Sequence, residues 1–493
     1  MNFRSALFIR SIPFLLFALL FSGCAAVPVT DEELAKVGAD VNKNMIAQYG
    51  EYRDPALNSY VEGIGLRVEA TSDYAGKPLQ FTVLDTQLVN AFSVPGGYIF
   101  VTRGLLSRVN SESELAFVIG HEIGHLTERH AAQRISQVMT SNIFSTFLGA
   151  FIGIYSNDAK LGNLVSNIVD FSSVLVILSY GRDAEFEADK LGADFEYRAR
   201  YNPLGGVNFF VTLKDIEGSK GERASLVDLL ATHPPTADRI DRSKDEANEL
   251  LAKAKEGGKN LEVERAAYLK RMDGMVLGDS LDAGFVKDDK YSNKKYMFVL
   301  RKPSDWKIIT ARSYLAGLYR DKNNFFLTYA KVLEPDQSLT EYARQFLKEA
   351  FDDKDFEPQF KSTTYRDMSA LDFYVKRSRE VRALFFARNK VNYALVYSYV
   401  GQPFVDQDEV FNTLSKTFDF MTKEEADKIL EDKLRIYTAV AKDTSESISV
   451  KFYQSPSYKD RLMEYNGLIP PIVIGTMFKI PPAKYLDEDK EEK

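Results

Sequence analysis

The chain has 493 residues, of which 45% are hydrophobic and 27% charged, and its formal net charge is −7. A chain of this length exceeds one ordinary hydrophobic core, so two or three domains are expected, and the composition is that of a globular protein. The mild acidity and the lack of a long basic run argue against a nucleic-acid partner.

The N-terminus has the three parts of an export signal. Arg4 and Arg10 precede an apolar run over residues 12–21, and two small residues follow that run. Residues 1–23 are therefore predicted to be a signal peptide. Cys24 comes directly after them, and because it is the single cysteine of the chain, no intramolecular disulfide can form.

The setting of Cys24 resembles a bacterial lipobox, in which the cysteine is acylated and becomes the first residue of the mature protein. Phe21 departs from that pattern, since leucine is usual at its place. Ala25 follows the cysteine where aspartate could stand, which by resemblance favours the outer membrane. The alternatives are an ordinary signal peptide with an incidental cysteine and an uncleaved anchor. We expect a lipid-anchored envelope protein that faces the periplasm.

The next hundred residues predict helices, then strands, then a long helix. Residues 31–72 have apolar side chains near helical spacing, and residues 79–102 contain three β-rich runs with a Pro-Gly-Gly turn before the last. The long helix is predicted to begin after Ser111, because Ser111 and Glu114 fit a capping box that precedes an apolar face.

Residues 143–179 are strongly apolar, but polar side chains interrupt them before they reach the length of a membrane-spanning helix. We expect a buried helical pair there rather than a membrane contact. A further helix is predicted from about Arg182 to Arg200, and charged helices continue to about Met272.

The predicted long helix carries the sequence His-Glu-Ile-Gly-His at 121–125. Positions i and i+4 share one face of a helix, so the imidazoles of His121 and His125 can reach one metal ion. Glu122 then lies beside that ion, placed to take a proton from a bound water. With four histidines in the whole chain, a chance match is a poor explanation.

A third ligand is expected from a later helix. A metzincin would have glycine at 128 and histidine at 131, where this chain has Glu128 and Ala131, so that class is excluded. Glu185 and Asp189 stand four residues apart and share a helix face. Glu185 can bind zinc, and Asp189 can accept the N–H of a ligating histidine. Glu187 points elsewhere, so its loss is expected to leave metal and activity intact; a solvated acidic face is the alternative.

Together these motifs resemble the HtpX and CAAX-prenyl-endopeptidase group of gluzincin zinc metallopeptidases, especially its periplasmic BepA-like members. The resemblance spans residues of about 55–245. The stretches that carry it are Asn90-Ala91-Phe92, Pro95-Gly96-Gly97-Tyr98-Ile99, Thr102-Arg103-Gly104-Leu105-Leu106, the 121–125 motif, Glu185 to Asp189, and Thr232-His233-Pro234-Pro235 with Arg239. It implies one Zn²⁺ per chain, bound by His121, His125 and Glu185, with Glu122 as general base.

The resemblance also implies roles around the metal. A strand at the edge of the sheet would pair with an extended substrate. The residues of that strand are Asn90, Ala91, Phe92 and Ser93. His233 and Arg239 would approach the metal from a third segment. His233 is either a fourth ligand that keeps the enzyme latent or a donor to the oxyanion, for which Arg239 and a nearby tyrosine are the other candidates. We expect the four-ligand form in the resting enzyme.

The C-terminal half has a different character. Residues 273–425 are predicted to be an α+β accessory domain, because β-rich runs alternate there with one helix near Leu339–Phe351. Residues 430–483 resemble a LysM-like module, although Lys442 stands where glycine is usual. That resemblance implies a peptidoglycan contact, and the alternative is a small domain that only packs on the rest. Residues 484–493 read as a charged tail.

The sequence as a whole predicts an α+β protein whose residues 24–272 form a mostly helical gluzincin metalloprotease domain with a small β-sheet. The expected function is that of a zinc-dependent metalloendopeptidase of the bacterial cell envelope, which hydrolyses unfolded, misfolded or misassembled envelope proteins. The alternative is an envelope assembly or binding factor with a latent zinc site that docks through its C-terminal domains.

Overall fold

The computed structural model describes most of the chain. The described residues are 30–139, 179–218, Leu229, His233 and 237–487, except 283, 312–314, 322–323, 333, 335–336, 352, 377–379 and 401–406. The predicted signal peptide, Cys24 and nearly all of the apolar stretch 143–179 lie outside them. Among the helices that are described, none is both long and apolar enough to cross a membrane.

Two helices open the described chain: α1 (Asp31–Gln48) and α2 (Pro55–Glu69). Each begins at a residue whose side chain accepts a hydrogen bond from the first helical turn. Thr30 does so for α1 in a complete capping box with Glu33, and Asp54 does so for α2. The predicted helices of this segment are confirmed.

Three short strands follow: β1 (Gln80–Leu84), β2 (Ala91–Val94) and β3 (Tyr98–Thr102). The central strand β3 pairs in parallel with β1 and antiparallel with β2, so β2 lies at an edge of this sheet. The turn between β2 and β3 places Gly96 and Gly97 at φ of +88° and +87°, a conformation that glycine adopts without strain. The three predicted strands are confirmed.

A short helix, α3 (Arg103–Arg108), leads into the long helix α4 (Glu112–Thr127). Ser111 caps α4 by accepting the backbone N–H of Glu114, as predicted. The predicted capping box is wrong in its second half, because the Glu114 carboxylate accepts the backbone N–H of Asn110 at 3.0 Å instead. All residues of α4 from Glu112 to His125 are buried, so α4 is the central helix of this region.

Five more helices follow α4 in the described part of the chain up to Met272. They are α5 (His130–Met139), α6 (Arg182–Arg198), α7 (Leu204–Gly218), α8 (Ala237–Glu256) and α9 (Arg265–Met272). The backbones of α4 and α6 approach closely where glycines face each other. A Cβ on Gly192 of α6 would lie 2.9 Å from the backbone nitrogen of His121, and one on Gly120 would lie 3.0 Å from the Gly192 oxygen. A larger side chain at either glycine would push the two helices apart.

The next part of the chain is rich in strands. They are β4 (Val276–Leu277), β5 (Phe285–Lys287), β6 (Lys290–Asn293), β7 (Phe298–Arg301), β8 (Lys307–Ala311), β9 (Leu315–Asp321), β10 (Asn324–Val332), β11 (Lys361–Tyr365), β12 (Met368–Lys376), β13 (Glu380–Arg388), β14 (Val391–Tyr399), β15 (Phe418–Phe420) and β16 (Asp432–Lys433). The helices among them are α10 (Leu339–Phe351), α11 (Gln407–Thr417) and α12 (Lys423–Asp427).

Seven of these strands form one antiparallel sheet in the order β11-β12-β13-β14-β10-β9-β8. Its two faces bury alternate residues, as the two-residue period of a strand requires. Phe325 and Phe385 face α10 on one side, whereas Phe326 and Phe386 face α11 and the smaller sheet β15-β7-β6-β5 on the other. The predicted helix near Leu339–Phe351 and the α+β class are confirmed.

The C-terminal elements run β17 (Arg435–Thr438), α13 (Ser445–Tyr453), α14 (Lys459–Tyr465) and β18 (Met477–Ile480). The two strands pair antiparallel, which gives a β-α-α-β unit in the order that the sequence predicts. The predicted start of the charged tail at residue 484 falls inside packed structure, because Leu486 is buried in the core of this unit.

Candidate metal centre

The two histidines of the α4 motif meet on one face of the helix, as their spacing predicts. Nε2 of His121 lies 3.0 Å from Nε2 of His125, and the rings stand edge to face at 83°. Both side chains are buried. Burial holds the pKa of the His125 imidazole well below its usual value, which favours the neutral form that metal binding requires.

Glu185 of α6 reaches the same point from the neighbouring helix. Its Oε1 lies 3.5 Å from Nε2 of His125, and its Oε2 lies 3.7 Å from Nε2 of His121. The close glycine contact between α4 and α6 allows this short carboxylate to span the gap. Burial alone would raise the pKa of Glu185, but the surrounding histidines outweigh burial and hold it well below the usual value.

His233 completes a cluster of four donors. Its Nδ1 lies 3.3 Å from Nε2 of His121 and 3.1 Å from Oε1 of Glu185. One donor atom each from His121, His125, Glu185 and His233 lie within 4.8 Å of one another, a group that can hold a metal ion. Bonds of about 2.0–2.1 Å in a tetrahedron give donor–donor edges of about 3.3 Å. The measured edges and the donor chemistry therefore fit zinc.

A buried ion-pair network supports two of these donors. Nδ1 of His121 lies 3.0 Å from Oδ1 of Asp189, so Asp189 stands where the sequence predicts it. Arg239 donates to both carboxylate oxygens of Asp189 at 2.7 Å, and its Nη1 lies 2.8 Å from Glu185. The guanidinium is thus engaged by two carboxylates. This geometry favours a positioning role for Arg239 over the predicted oxyanion role.

Glu122 lies beside the cluster and is not one of its four donors. The Ser93 hydroxyl donates to its Oε2 at 3.0 Å. Nε2 of His233 lies 3.6 Å from its other carboxylate oxygen. Ser93 belongs to β2, so the predicted substrate strand and the predicted general base are in direct contact. Asn90, Ala91, Phe92 and Ser93 are all buried.

A small cavity opens beside Glu122. Its volume is about 20 Å³, enough for one water molecule. Its polar lining comes from His121, Glu122, His233 and Arg239. The apolar lining comes from Ala91, Leu105, Phe117, Val118, Phe209, Phe210, Leu213 and Leu229. The centre is therefore enclosed by aromatic and aliphatic side chains on this side.

The sequence did not identify two contacts of His125. The Tyr180 ring stacks on the His125 ring with centroids 4.1 Å apart, and burial raises the pKa of the Tyr180 hydroxyl well above its usual value. Nδ1 of His130 lies 2.8 Å from Nδ1 of His125. Tyr180 directly follows the apolar stretch 143–179, and no sequence motif marks it as a contact of His125. The contact of His130 depends on Arg129, whose left-handed φ of 57° no motif announces.

The residues of this centre lie in a segment of the chain that matches a known protein family. Residues 55–247 match the family described as Peptidase family M48. This segment is therefore similar to peptidases of family M48. It contains all four donors together with Glu122, Asp189 and Arg239. The match ends before the seven-stranded sheet and the C-terminal unit begin, so it says nothing about them.

Relatives match over the same half of the chain. Beta-barrel assembly-enhancing protease of Yersinia pestis is 26% identical over 226 residues, 45% of this chain and 45% of that protein. The protein of that name in Escherichia coli (strain K12) is 26% identical over 201 residues, 40% of either protein. Mitochondrial metalloendopeptidase OMA1 of Arabidopsis thaliana is 33% identical over 165 residues, 34% of this chain and 31% of that protein. The chain thus matches less than half the length of these relatives.

Among solved structures, the solution structure of cyanobacterial PsbP (CyanoP) from Synechocystis sp. PCC 6803 is similar with a TM-score of 0.22 and 13% identity. The alignment covers 29% of this chain and 98% of that one. A likeness of this strength carries no argument about function.

Proposed function

We propose that the protein is a zinc-dependent endopeptidase of the bacterial cell envelope. The observation that carries the proposal is the donor cluster of His121, His125 and Glu185 with Glu122 beside it. The match of residues 55–247 to Peptidase family M48 supports the same activity. As part of this proposal, we retain the prediction that the protein belongs to the HtpX and CAAX-prenyl-endopeptidase group.

The side chains around the cluster suit hydrolysis of a peptide bond. Zinc held by His121, His125 and Glu185 would polarise the scissile carbonyl and lower the pKa of a bound water towards neutrality. Glu122 accepts the proton of the attacking water and returns it to the leaving amine. The hydrogen bond from Ser93 fixes one oxygen of Glu122, so the other oxygen remains for proton transfer.

An oxyanion donor is needed on the far side of the scissile carbonyl. Tyr180 is the tyrosine that contacts the cluster, and its buried hydroxyl has no hydrogen-bond partner among the described residues. We assign the donor role to Tyr180, with His233 as the alternative. Arg239 instead fixes Asp189 and Glu185, and through them the metal ligands.

His233 occupies the position that would keep the enzyme latent. Four protein donors close a tetrahedral site, whereas a catalytic zinc needs an open position. With Nδ1 in the donor cluster and Nε2 3.6 Å from Glu122, His233 would fill the coordination position that a catalytic water needs. An arriving substrate would have to displace the His233 ring before hydrolysis begins.

The closed cluster also favours a second candidate function. A site with four protein donors serves a structural role as readily as a catalytic one. The protein would then be an envelope assembly or binding factor with a latent zinc site, which docks through its C-terminal domains. The two candidates differ in whether displacement of His233 releases hydrolysis.

The proposed substrates are misfolded or misassembled envelope proteins. Two relatives carry the name beta-barrel assembly-enhancing protease, which points to outer-membrane β-barrel proteins as one such class. The edge position of β2 suits the pairing of an extended substrate segment with its backbone. A lipid on Cys24 would hold the enzyme at the outer membrane, and the LysM-like unit would contact peptidoglycan.

The test compares hydrolysis with zinc content in purified variants. Glu122→Gln should abolish cleavage of unfolded casein while zinc stays near one per chain, because Glu122 is the base and no ligand. Glu185→Ala should lose both zinc and cleavage. Zinc lost from Glu122→Gln would refute the assigned roles. If neither the wild type nor His233→Ala cleaves unfolded protein, with zinc bound in both, the assembly factor is the better account.

A further inference from the structure

A chain of two side chains extends from the metal cluster to the protein surface. Nδ1 of His125 lies 2.8 Å from Nδ1 of His130, and Nε2 of His130 lies 3.3 Å from a carboxylate oxygen of Glu187. The His130 side chain is 3% exposed and that of Glu187 is 54% exposed. The three residues therefore connect a metal donor to solvent through one buried imidazole.

The local backbone explains how His130 reaches this place. Helix α4 ends at Thr127, and Arg129 takes a left-handed conformation before α5 begins at His130. That reversal brings the His130 ring back beside the last turn of α4, with its centroid 5.0 Å from that of His125. Glu187 lies on α6, two residues after Glu185. Helix α6 therefore supplies both a metal donor and the surface carboxylate that contacts His130.

The hydrogen bonds have a single consistent direction. A histidine that binds metal through Nε2 carries its hydrogen on Nδ1, so His125 must donate to His130. Nδ1 of His130 then accepts, which places the His130 hydrogen on Nε2. That hydrogen points at Glu187, which accepts it. Each ring has one tautomer in this arrangement: a metal on Nε2 would fix that of His125, and the bond to Glu187 favours the matching tautomer of His130.

We propose that His130 and Glu187 are positioning residues that orient the metal ligand His125 and strengthen metal binding. The inference rests on the proposed zinc site. Groups of this kind around a zinc histidine fix its tautomer and ring orientation, and their loss costs about 10–100-fold in metal affinity. The sequence predicts no role for Glu187, and the contact with His130 is the observation that gives it one.

The two histidines of α4 are supported in different ways. His121 contacts Asp189 directly, and two hydrogen bonds from Arg239 hold Asp189 in the interior. His125 contacts the imidazole of His130, whose own partner, Glu187, is half exposed to solvent. The support of His125 is thus the one that a surface substitution can reach without disturbing the buried ion pairs.

The experiment measures zinc dissociation constants by competition with a chelating dye, and visible spectra of the cobalt-substituted protein. His130→Phe keeps an aromatic ring but removes the acceptor, so zinc affinity should fall about 10–100-fold. His130→Gln restores an acceptor oxygen and should recover part of the loss. Glu187→Ala should weaken zinc binding several-fold, and Glu187→Gln, which keeps an acceptor oxygen, less. The cobalt bands should shift in His130→Phe.

Asp194→Ala is the matched control, since Asp194 is a half-exposed carboxylate of the same helix that pairs with Arg198 away from the metal. If His130→Phe and Glu187→Ala both bind zinc as Asp194→Ala does, the proposal is wrong. Should His130→Phe fail to fold, Glu187→Ala at the surface decides alone. A wild type that binds no zinc overturns the proposed function itself, whereas normal affinities alongside an inactive Glu122→Gln refute only the positioning role.

Discussion

The two ring nitrogens of His233 face two groups with different tasks. Nδ1 lies in the donor cluster, and Nε2 lies 3.6 Å from Glu122. Replacing this histidine by alanine removes a fourth donor and uncovers the base. His233→Ala should therefore raise the turnover of unfolded substrates while zinc stays bound. Steady-state cleavage of a quenched fluorescent peptide, with metal analysis of the same sample, measures both.

A decrease in the turnover of His233→Ala would give His233 a different role. A turnover that falls about 100-fold with zinc unchanged is the behaviour of a lost oxyanion donor. Tyr180→Phe provides the control, because it removes the other candidate donor and leaves the donor cluster intact. If Tyr180→Phe is the variant that loses turnover and His233→Ala gains it, the roles stand as proposed.

Sequence periodicity predicted the residues of the candidate metal centre because a helix repeats every 3.6 residues. His121 with His125 and Glu185 with Asp189 are each four apart, and the structure brings both pairs to one point. The engagement of Arg239 by two carboxylates follows from no spacing, since α6 and α8 meet only in three dimensions. The contact of His130 depends on one backbone dihedral, which local sequence leaves undetermined.

At the scale of single elements, the packing of α4 on α6 decides the geometry of the centre. Gly120 and Gly124 of α4 face Gly192 and Ala188 of α6, so both backbones come close enough for Glu185 to reach the histidines. The sequence shows these small residues but gives no reason to pair them. Close helix contacts of this kind become visible only when the partner helix is known.

The elements α4 and α7 also shape the small cavity beside Glu122. Phe117 of α4 and Phe209 and Phe210 of α7 line it, so their rings limit the size of the side chain that it can accept. If Glu122 protonates the leaving amine, as proposed, the residue that follows the scissile bond should enter this cavity. We expect cleavage before small residues such as alanine in preference to leucine.

Phe209→Leu tests this expectation by shortening one wall. The variant should improve cleavage before leucine relative to alanine about 10-fold, within the range that a change of cavity size by a few carbon atoms provides. A peptide library varied at one position, read by mass spectrometry, gives the preference. Phe195→Leu shortens a buried phenylalanine of the same core that does not line the cavity. If both variants showed the same preference between alanine and leucine, the cavity would not determine the specificity.

At the scale of the whole molecule, the C-terminal unit contacts the segment that leads into helix α4. Lys479 is fully buried, and its ammonium group donates to the carbonyls of Ser107, Arg108 and Val109 at 2.9, 2.7 and 3.1 Å. These carbonyls end α3, where a positive charge is favourable to the helix dipole. Arg265 adds hydrogen bonds to Asn110 and to the C-terminal unit.

The sequence predicted the order of the C-terminal elements but not this interface. A lysine in a closing strand normally reads as a solvated side chain, and nothing in its neighbours marks it as buried. The seven-stranded sheet was foreseen as β-rich runs, whereas its strand order was not, because long-range pairing has no local signal. The linker between the two halves is held by Arg103, which donates to the carbonyls of Val276 and Gly278.

Loss of the Lys479 contacts should loosen the segment between α3 and α4. Lys479→Met keeps the length of the side chain and leaves three buried carbonyls without their donor, at a cost of about 1–3 kcal/mol or more. Urea denaturation should show a lower midpoint, and peptide cleavage should fall because α4 starts five residues beyond Ser107 and carries Glu122. Lys442→Met, an exposed lysine of the same unit, is the matched control. Identical midpoints and cleavage rates in the two variants would mean that the unit sits on the protease domain without supporting it.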